Sequence, residues 1–206
     1  MYKRQIHTNS ILFGNRNRLD DYFEIENPIV LQLGGNDPDS LSKVCKMAEH
    51  YNYDEINLNL GCPSPKVKSG NFGAALMDHP ETVQKCLVAM QENSTKNISV
   101  KIRLGINDND IDKSLDDFIS QLAETGIKVF YVRARRAILD KLSPKDNREI
   151  PPLNYSRVKK LKRDFPNLKI IINGGITDYY NQKKEFSELD GIMTVSYTHL
   201  TLPTNA

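Results

Sequence analysis

Cysteine is scarce: the 206 residues hold three, an odd number, with no CxxC pair. That argues against a disulfide framework and against a zinc site, so no metal is expected. Long apolar runs are missing too, and none approaches the ~18 residues a membrane span requires. The basic start Met1-Tyr-Lys-Arg-Gln5 is followed by no apolar stretch, so it does not read as a secretory signal. A cytoplasmic protein with no membrane partner is the expectation. An excess of one charge is also lacking, since the net charge is only +2. What remains is ordinary globular material, 39% hydrophobic and 26% charged, long enough for one domain with a proper core.

The small net charge conceals an uneven distribution. Residues 133–163 carry eleven Lys/Arg against three Asp/Glu, a local balance of +8, which leaves about −6 for the rest. Such a segment suits a polyanionic partner. A solvated helix face plus a charged loop would produce the same count.

Apolar, β-rich runs recur at Ile29–Leu33, Glu55–Leu60, Ile98–Arg103, Lys128–Val132, Lys169–Asn173 and Gly191–Val195. Helical patterns separate most of them. Asp37-Pro38 and Pro80 open two, with proline suited to the first turn. Leu115, Phe118, Ile119 and Leu122 mark another, which Gly126 ends, and Val158, Leu161 and Phe165 mark the next. A shorter one follows Thr177. Cys45 and Cys86 fall on apolar helical stripes and read as small core hydrophobes. Alternation at this spacing implies parallel βαβ units, with strands expected to be largely apolar on both faces. Periodicity alone fits either an (α/β) barrel or a doubly wound sheet. In both, the working residues lie at the C-terminal strand ends.

Those ends form a coherent set: Gln32-Leu33-Gly34-Gly35, Asn59-Leu60-Gly61-Cys62-Pro63, Lys101-Ile102-Arg103, Arg133-Ala134-Arg135 and Asn173-Gly174-Gly175. Each offers an amide, a cation or a glycine pair able to hydrogen-bond a heteroaromatic ring or a phosphate. Successive N–H groups at Gly174-Gly175 could receive an anion, although a tight turn needs the same glycines.

Two stretches carry a resemblance. The run Asn57-Leu-Asn-Leu-Gly-Cys-Pro-Ser, continued through Val67, Gly70 and Phe72-Gly-Ala-Ala-Leu-Met77, resembles the signature of tRNA-dihydrouridine synthases. The run Leu142-Ser-Pro-Lys-Asp-Asn-Arg-Glu-Ile-Pro-Pro-Leu153 is similar to the bacterial A subfamily. The similarity runs from about Ile6 to Val195. It implies an α/β fold, a TIM (β/α)8 barrel that binds FMN, followed in the family by a small helical RNA-binding domain. It also implies reduction of a uridine C5–C6 bond in the tRNA D-loop, at positions 20 and 20a. There NADPH reduces the flavin, hydride goes to C6 and a cysteine protonates C5.

In that resemblance Cys62 matches the general acid. Gln32, Asn59 and Lys101 match groups that hold the flavin, and Asn173, Gly174 and Gly175 match a phosphate-binding turn. A thiol suits the acid's task because it is mostly protonated near neutral pH. A lysine beside the ring would stabilise the anionic reduced flavin. Lys66, Arg135, Arg136, Lys145 and Arg148, near Cys62 or in the loop after the fourth strand, would hold the tRNA backbone. Each could equally be a solvated surface charge.

The sequence departs from the pattern in three places. Arg133 stands where the family has histidine; it is expected to keep a cofactor contact, but it is bulkier, permanently charged and accepts no hydrogen bond. The family's first strand, with its Pro-Met turn, has no counterpart. After Val195 a Gly-Arg turn is expected, and Ser196-Tyr197 follows instead. Residues 1–5 and 196–206 are therefore expected to be non-native, with residues 6–195 forming about six of eight barrel strands and the C-terminal helical domain absent. Such an open barrel is expected to aggregate, to bind FMN weakly or not at all, and to be inactive by itself. Two other readings remain: a different FMN barrel enzyme such as a dihydroorotate dehydrogenase, and a non-catalytic tRNA-binding remnant.

Overall fold

From residue 29 to residue 173, alternate residues of the strands are apolar and share one buried face. The computed structural model describes residues 2–14, 19, 28–64 and 70–194. The strands are β1 (Tyr2–His7), β2 (Ile29–Gly34), β3 (Glu55–Asn59), β4 (Asn97–Arg103), β5 (Val129–Arg133), β6 (Lys169–Asn173) and β7 (Gly191–Met193). Between them lie α1 (Thr8–Leu12), α2 (Pro38–Ala48), α3 (Pro80–Glu92), α4 (Lys113–Glu124), α5 (Asp146–Glu149), α6 (Tyr155–Asp164) and α7 (Tyr179–Gln182), with a 3-10 helix at Gly73–Asp78.

All seven strands join one parallel sheet in sequence order, β1 to β7. A doubly wound sheet reverses its strand order at a switch point, and this one never does. The architecture is therefore that of a (β/α) barrel, with β1 and β7 as the sheet's edges among the described residues. The sequence predicts six strands; the seventh is β1. Ile6 is the one aliphatic residue of Tyr2–His7, so no apolar run marks it.

The expectation of strands apolar on both faces is corrected. Ile56, Leu58, Val100, Ile102, Phe130, Val132, Ile170 and Ile172 are buried in the main core. The opposite face carries Gln32, Asn57, Asn59, Ser99, Lys101, Arg103, Tyr131, Arg133 and Asn173, in layers set by the strand register. Gln32, Asn57 and Ser99 share one layer; Asn59, Lys101 and Tyr131 the next; Arg103, Arg133 and Asn173 the uppermost. A barrel interior that handles a polar ligand needs such a lining, whereas a purely structural one is filled with Val, Ile and Leu.

Helix starts follow their cap chemistry. Asp37 accepts from the Ser40 N–H at 2.9 Å with Pro38 behind it, and Asn154 accepts from the Arg157 N–H at 2.9 Å. Gly126, at φ +93°, ends the stretch after α4 in a conformation other residues avoid. Cys45 and Cys86 are fully buried, and burial pushes both thiols up to about 12, as expected of inert core residues.

Arg157 ties α6 to the start of α4. Its guanidinium is 3% exposed, meets Asp112 at 3.0 Å, pairs with Asp116, and donates to the Ile111 carbonyl at 3.1 Å. Arg157→Ala is expected to cost about 2–3 kcal/mol, at the lower edge for a buried pair because both aspartates keep solvent contact. Urea unfolding measures this, and a loss below about 0.5 kcal/mol, the level of an ordinary surface change, would contradict it.

Candidate active site

The C-terminal ends of β2 to β5 converge on a cavity of about 210 Å³ lined by Gln32, Asn59, Cys62, Lys101, Arg103, Arg133 and Arg148, among others. Cys62 reaches this wall because its turn is pinned from both sides. The Asn59 side-chain oxygen accepts from the Gly61 N–H at 3.0 Å, and Leu60 N–H donates to the Lys101 carbonyl at 2.8 Å. Beyond the turn, the Cys62 carbonyl accepts from the Ala74 N–H at 3.0 Å, which anchors it to the 3-10 helix. Its thiol is partly accessible, unlike those of Cys45 and Cys86.

Arg103 is a site residue that the motif reading passes over. It is 3% exposed, and its Nε donates to the Gly61 carbonyl at 2.8 Å. Its Nη1 donates to the carbonyls of Arg136 and Asn147 at 3.0 and 2.9 Å. One buried guanidinium thus joins the Cys62 turn to the loop after β5. The sequence signal was available, because a charged residue two after Lys101 in a strand must share its face.

Cations crowd this end. Burial and the nearby guanidiniums of Arg133 and Arg103 lower the Lys101 pKa to about 8. Burial, then Arg133, lowers that of Arg103 as well. Among the described residues, Lys101, Arg103, Arg133 and Arg148 form no ion pair with a carboxylate. Such a cluster is short of an anion. Two buried polar atoms next to it also lack partners, Arg133 Nε and Asn173 Oδ1. A ligand offering negative charge together with donors and acceptors satisfies both deficits.

The turn after β6 is shaped for close backbone approach. Gly174 and Gly175 have φ of +103° and +70°. A Cβ on Gly175 would lie 2.7 Å from the Tyr155 hydroxyl and closer still to Leu153. Tyr155 donates to the Gly174 carbonyl at 3.0 Å, and Ala134 N–H donates to that of Asn173 at 2.9 Å, which sets the turn beside Arg133.

The basic segment divides in two. Arg157, Lys159, Lys160, Lys162 and Arg163 are all ion-paired, to Asp112, Asp116, Asp164, Glu188 and Asp190. Arg157 is the buried anchor of α6, and the other four are its charged outer face. The loop 134–150 is different. Asn147 is wholly buried at its centre, its amide donating to the carbonyls of Ile138, Leu142 and Ser143 and accepting from the Ile138 N–H. Sequence reasoning missed this hub, since a lone Asn among charged residues reads as surface. Arg135 spends donors on the carbonyls of Glu149 and Pro151, and Arg136 on that of Asn107 at 2.8 Å. Lys145 and Arg148 stay exposed, with Arg148 on the cavity wall. Lys66 lies outside the described residues. Among the described residues no cluster of three His, Cys, Asp or Glu could hold a metal, and no helix is long and apolar enough to cross a membrane.

Against solved structures the chain is similar to the hyperthermophilic β-glucosidase of Pyrococcus furiosus. The match has a TM-score of 0.51 at 14% identity, over 90% of this chain and 60% of that one, and it supports the barrel architecture alone. Sequence comparison goes further. The chain is 46% identical over 193 residues to the tRNA-dihydrouridine(20/20a) synthase of Synechocystis, covering 94% of this chain and 58% of that protein. It is 46% identical over 194 residues to the enzyme of the same name from Escherichia coli K12, covering 94% and 56%. The Pseudomonas aeruginosa enzyme gives 44% over 193 residues, covering 94% and 58%. The chain thus spans somewhat more than half the length of these curated relatives. The dihydrouridine synthase (Dus) profile matches residues 1–200, and the chain belongs to that family.

Proposed function

We propose that this chain carries the catalytic barrel of an FMN-dependent tRNA-dihydrouridine synthase acting on D-loop positions 20 and 20a, with NADPH as the reductant. The observation that carries the reading is the placement of Cys62, the one partly accessible thiol of the chain, on the same cavity wall as Gln32, Asn59 and Lys101. The residues fit FMN. The unpaired cations suit its phosphate and its anionic reduced ring, and the amides of Gln32 and Asn59 suit a ring edge that both donates and accepts. Arg133, on the same cavity wall, and Asn173 beside it keep unused polar capacity at Nε and Oδ1.

Bound FMN supplies the hydride, once reduced by NADPH. The chain's own groups do the rest. Lys101 holds negative charge in place, and its pKa rises again when an anion arrives. Cys62 delivers its Sγ proton to C5 of the uracil, while Arg103 and Asn59 fix the turn that carries it. The target base must leave its stack to enter the cavity, a step that costs least in a loop. Arg148, exposed on the cavity wall, and Lys145, exposed on the same loop, hold the RNA backbone, together with Lys66. Arg135 and Arg136 add charge there while bracing the loop.

Titrating the chain with FMN tests the reading. For the open barrel alone we expect weak but saturable binding that falls with added salt, and for the complete enzyme, with the rest of the barrel and the helical domain, dihydrouridine formation in unmodified tRNA once NADPH is present. Turnover of dihydroorotate in place of tRNA by that complete enzyme would overturn the assignment, as would its binding tRNA with no flavin.

A further inference from the structure

We propose that Glu55, Ser99 and Asn57 form a hydrogen-bond relay across the barrel interior that fixes the orientation of the Gln32 side-chain amide. They are positioning residues for flavin recognition. The inference rests on the flavin reading of Gln32 given above, and it names the part of the chain that sets which Gln32 atom is offered.

The relay follows from donor and acceptor polarity. Glu55 is an acceptor when ionised, and two hydroxyls point to it. Ser99 Oγ donates to Oε1 at 2.5 Å, and the Tyr131 phenol donates to Oε2 at 3.3 Å. With its proton committed to Glu55, Ser99 Oγ can only accept from its other side. Asn57 therefore turns its Nδ2 to Ser99, at 2.7 Å. The Asn57 Oδ1 is left facing Gln32, so Gln32 donates Nε2 to it. Every link is forced by the one before.

Geometry keeps the chain intact. Gln32, Asn57 and Ser99 are register partners on β2, β3 and β4, so their side chains stack in one layer. Asn57 and Ser99 are 0% exposed and Gln32 is 3% exposed, so water cannot substitute for a missing link. Gln32 alone of the three lines the cavity. One Nε2 proton is spent on Asn57, so Gln32 meets a ligand with its carbonyl oxygen and its second N–H in fixed positions. A flipped amide would set Gln32 Oε1 against Asn57 Oδ1, unless Asn57 also flipped and set Oδ1 against the Ser99 lone pairs. Without Glu55 or Ser99 to impose direction, both orientations become accessible and half of the encounters present the wrong atom.

A double-mutant cycle tests the relay. Ser99→Ala should broaden or double the Gln32 side-chain amide signals in the NMR spectrum of the flavin-free chain, and should weaken FMN binding about twofold, the factor that a half-populated competent orientation gives. Ser99→Thr, which keeps the hydroxyl, should restore both. In a Gln32→Ala background, Ser99→Ala should leave FMN affinity unchanged, because there is no amide left to orient. A purely structural role predicts equal losses in both backgrounds, and that result overturns the proposal. So do Gln32 amide signals that ignore Ser99→Ala. If the amide responds as described while the parent chain binds no FMN, the relay stands and the flavin reading falls.

Discussion

In the full-length enzyme Cys62→Ala is expected to slow dihydrouridine formation by about 10²–10⁴-fold, the range a positioned general acid supplies, while flavin reduction by NADPH stays within about twofold of the parent. The split follows from where the thiol sits. Cys62 is held at the cavity wall by backbone contacts on both sides, through Asn59, Arg103 and Ala74, and its side chain braces none of them. Removing it leaves the turn standing and takes away only the proton. In the proposed reaction, hydride arrival at C6 would build negative charge toward C5, and without a proton donor that charge would have nowhere to go. Cys45→Ala is the matching control. Its thiol, buried and raised to about 12, has no route to substrate, so it should lower stability and leave both half-reactions alone. Anaerobic flavin reduction followed by single-turnover tRNA reduction separates the two steps. Equal losses in both for Cys62→Ala would sink the general-acid role.

Much of this site could be read before any coordinates. Cys62, Gln32, Asn59 and Lys101 were placed by the rule that a parallel strand exposes its C-terminal end together with the family resemblance, and their strands were legible as β-rich apolar runs. The failures share one physical cause. β1 escaped because its polar residues mask the period. The polar barrel face escaped because Glu55–Leu60 and Ile98–Arg103 read as buried apolar runs, although polar residues recur at every second position in both. Arg103 and Asn147 escaped because their partners are carbonyls 33 or more residues away, or on a loop that only the fold closes around them. Charge count misled in one direction too. It could not tell the paired cations of α6 from the unpaired ones at the mouth, since pairing depends on Asp112, Asp116 and Glu188 from other elements.

Lys101→Met is expected to make the flavin-free chain more stable, not less, while weakening FMN binding about 10–100-fold. Burial, Arg133 and Arg103 lower Lys101 to about 8 in the folded chain, against 10.5 for an unperturbed lysine. The unfolded chain therefore holds this proton more tightly than the folded one. Between about pH 8 and 10.5 the unfolded state binds more protons, so Lys101 makes the parent's stability rise with pH across that window. Below pH 8 the penalty for the buried charge is present in full, roughly 2–3 kcal/mol once its partial solvent contact is allowed for. Methionine fills the same space without that penalty. The variant should thus exceed the parent by that amount at pH 7, and the gap should close as pH approaches 10.5. Urea unfolding at pH 7 and pH 10 reads it directly. A bound anion reverses the order, because it restores the lysine's pKa and repays the burial, and only the parent has the charge to be repaid. Saturating FMN should therefore stabilise the parent far more than the variant. A variant less stable than the parent at pH 7, with no dependence on pH, would show that the cation cluster carries no strain, and that an anion is not what it is built to receive.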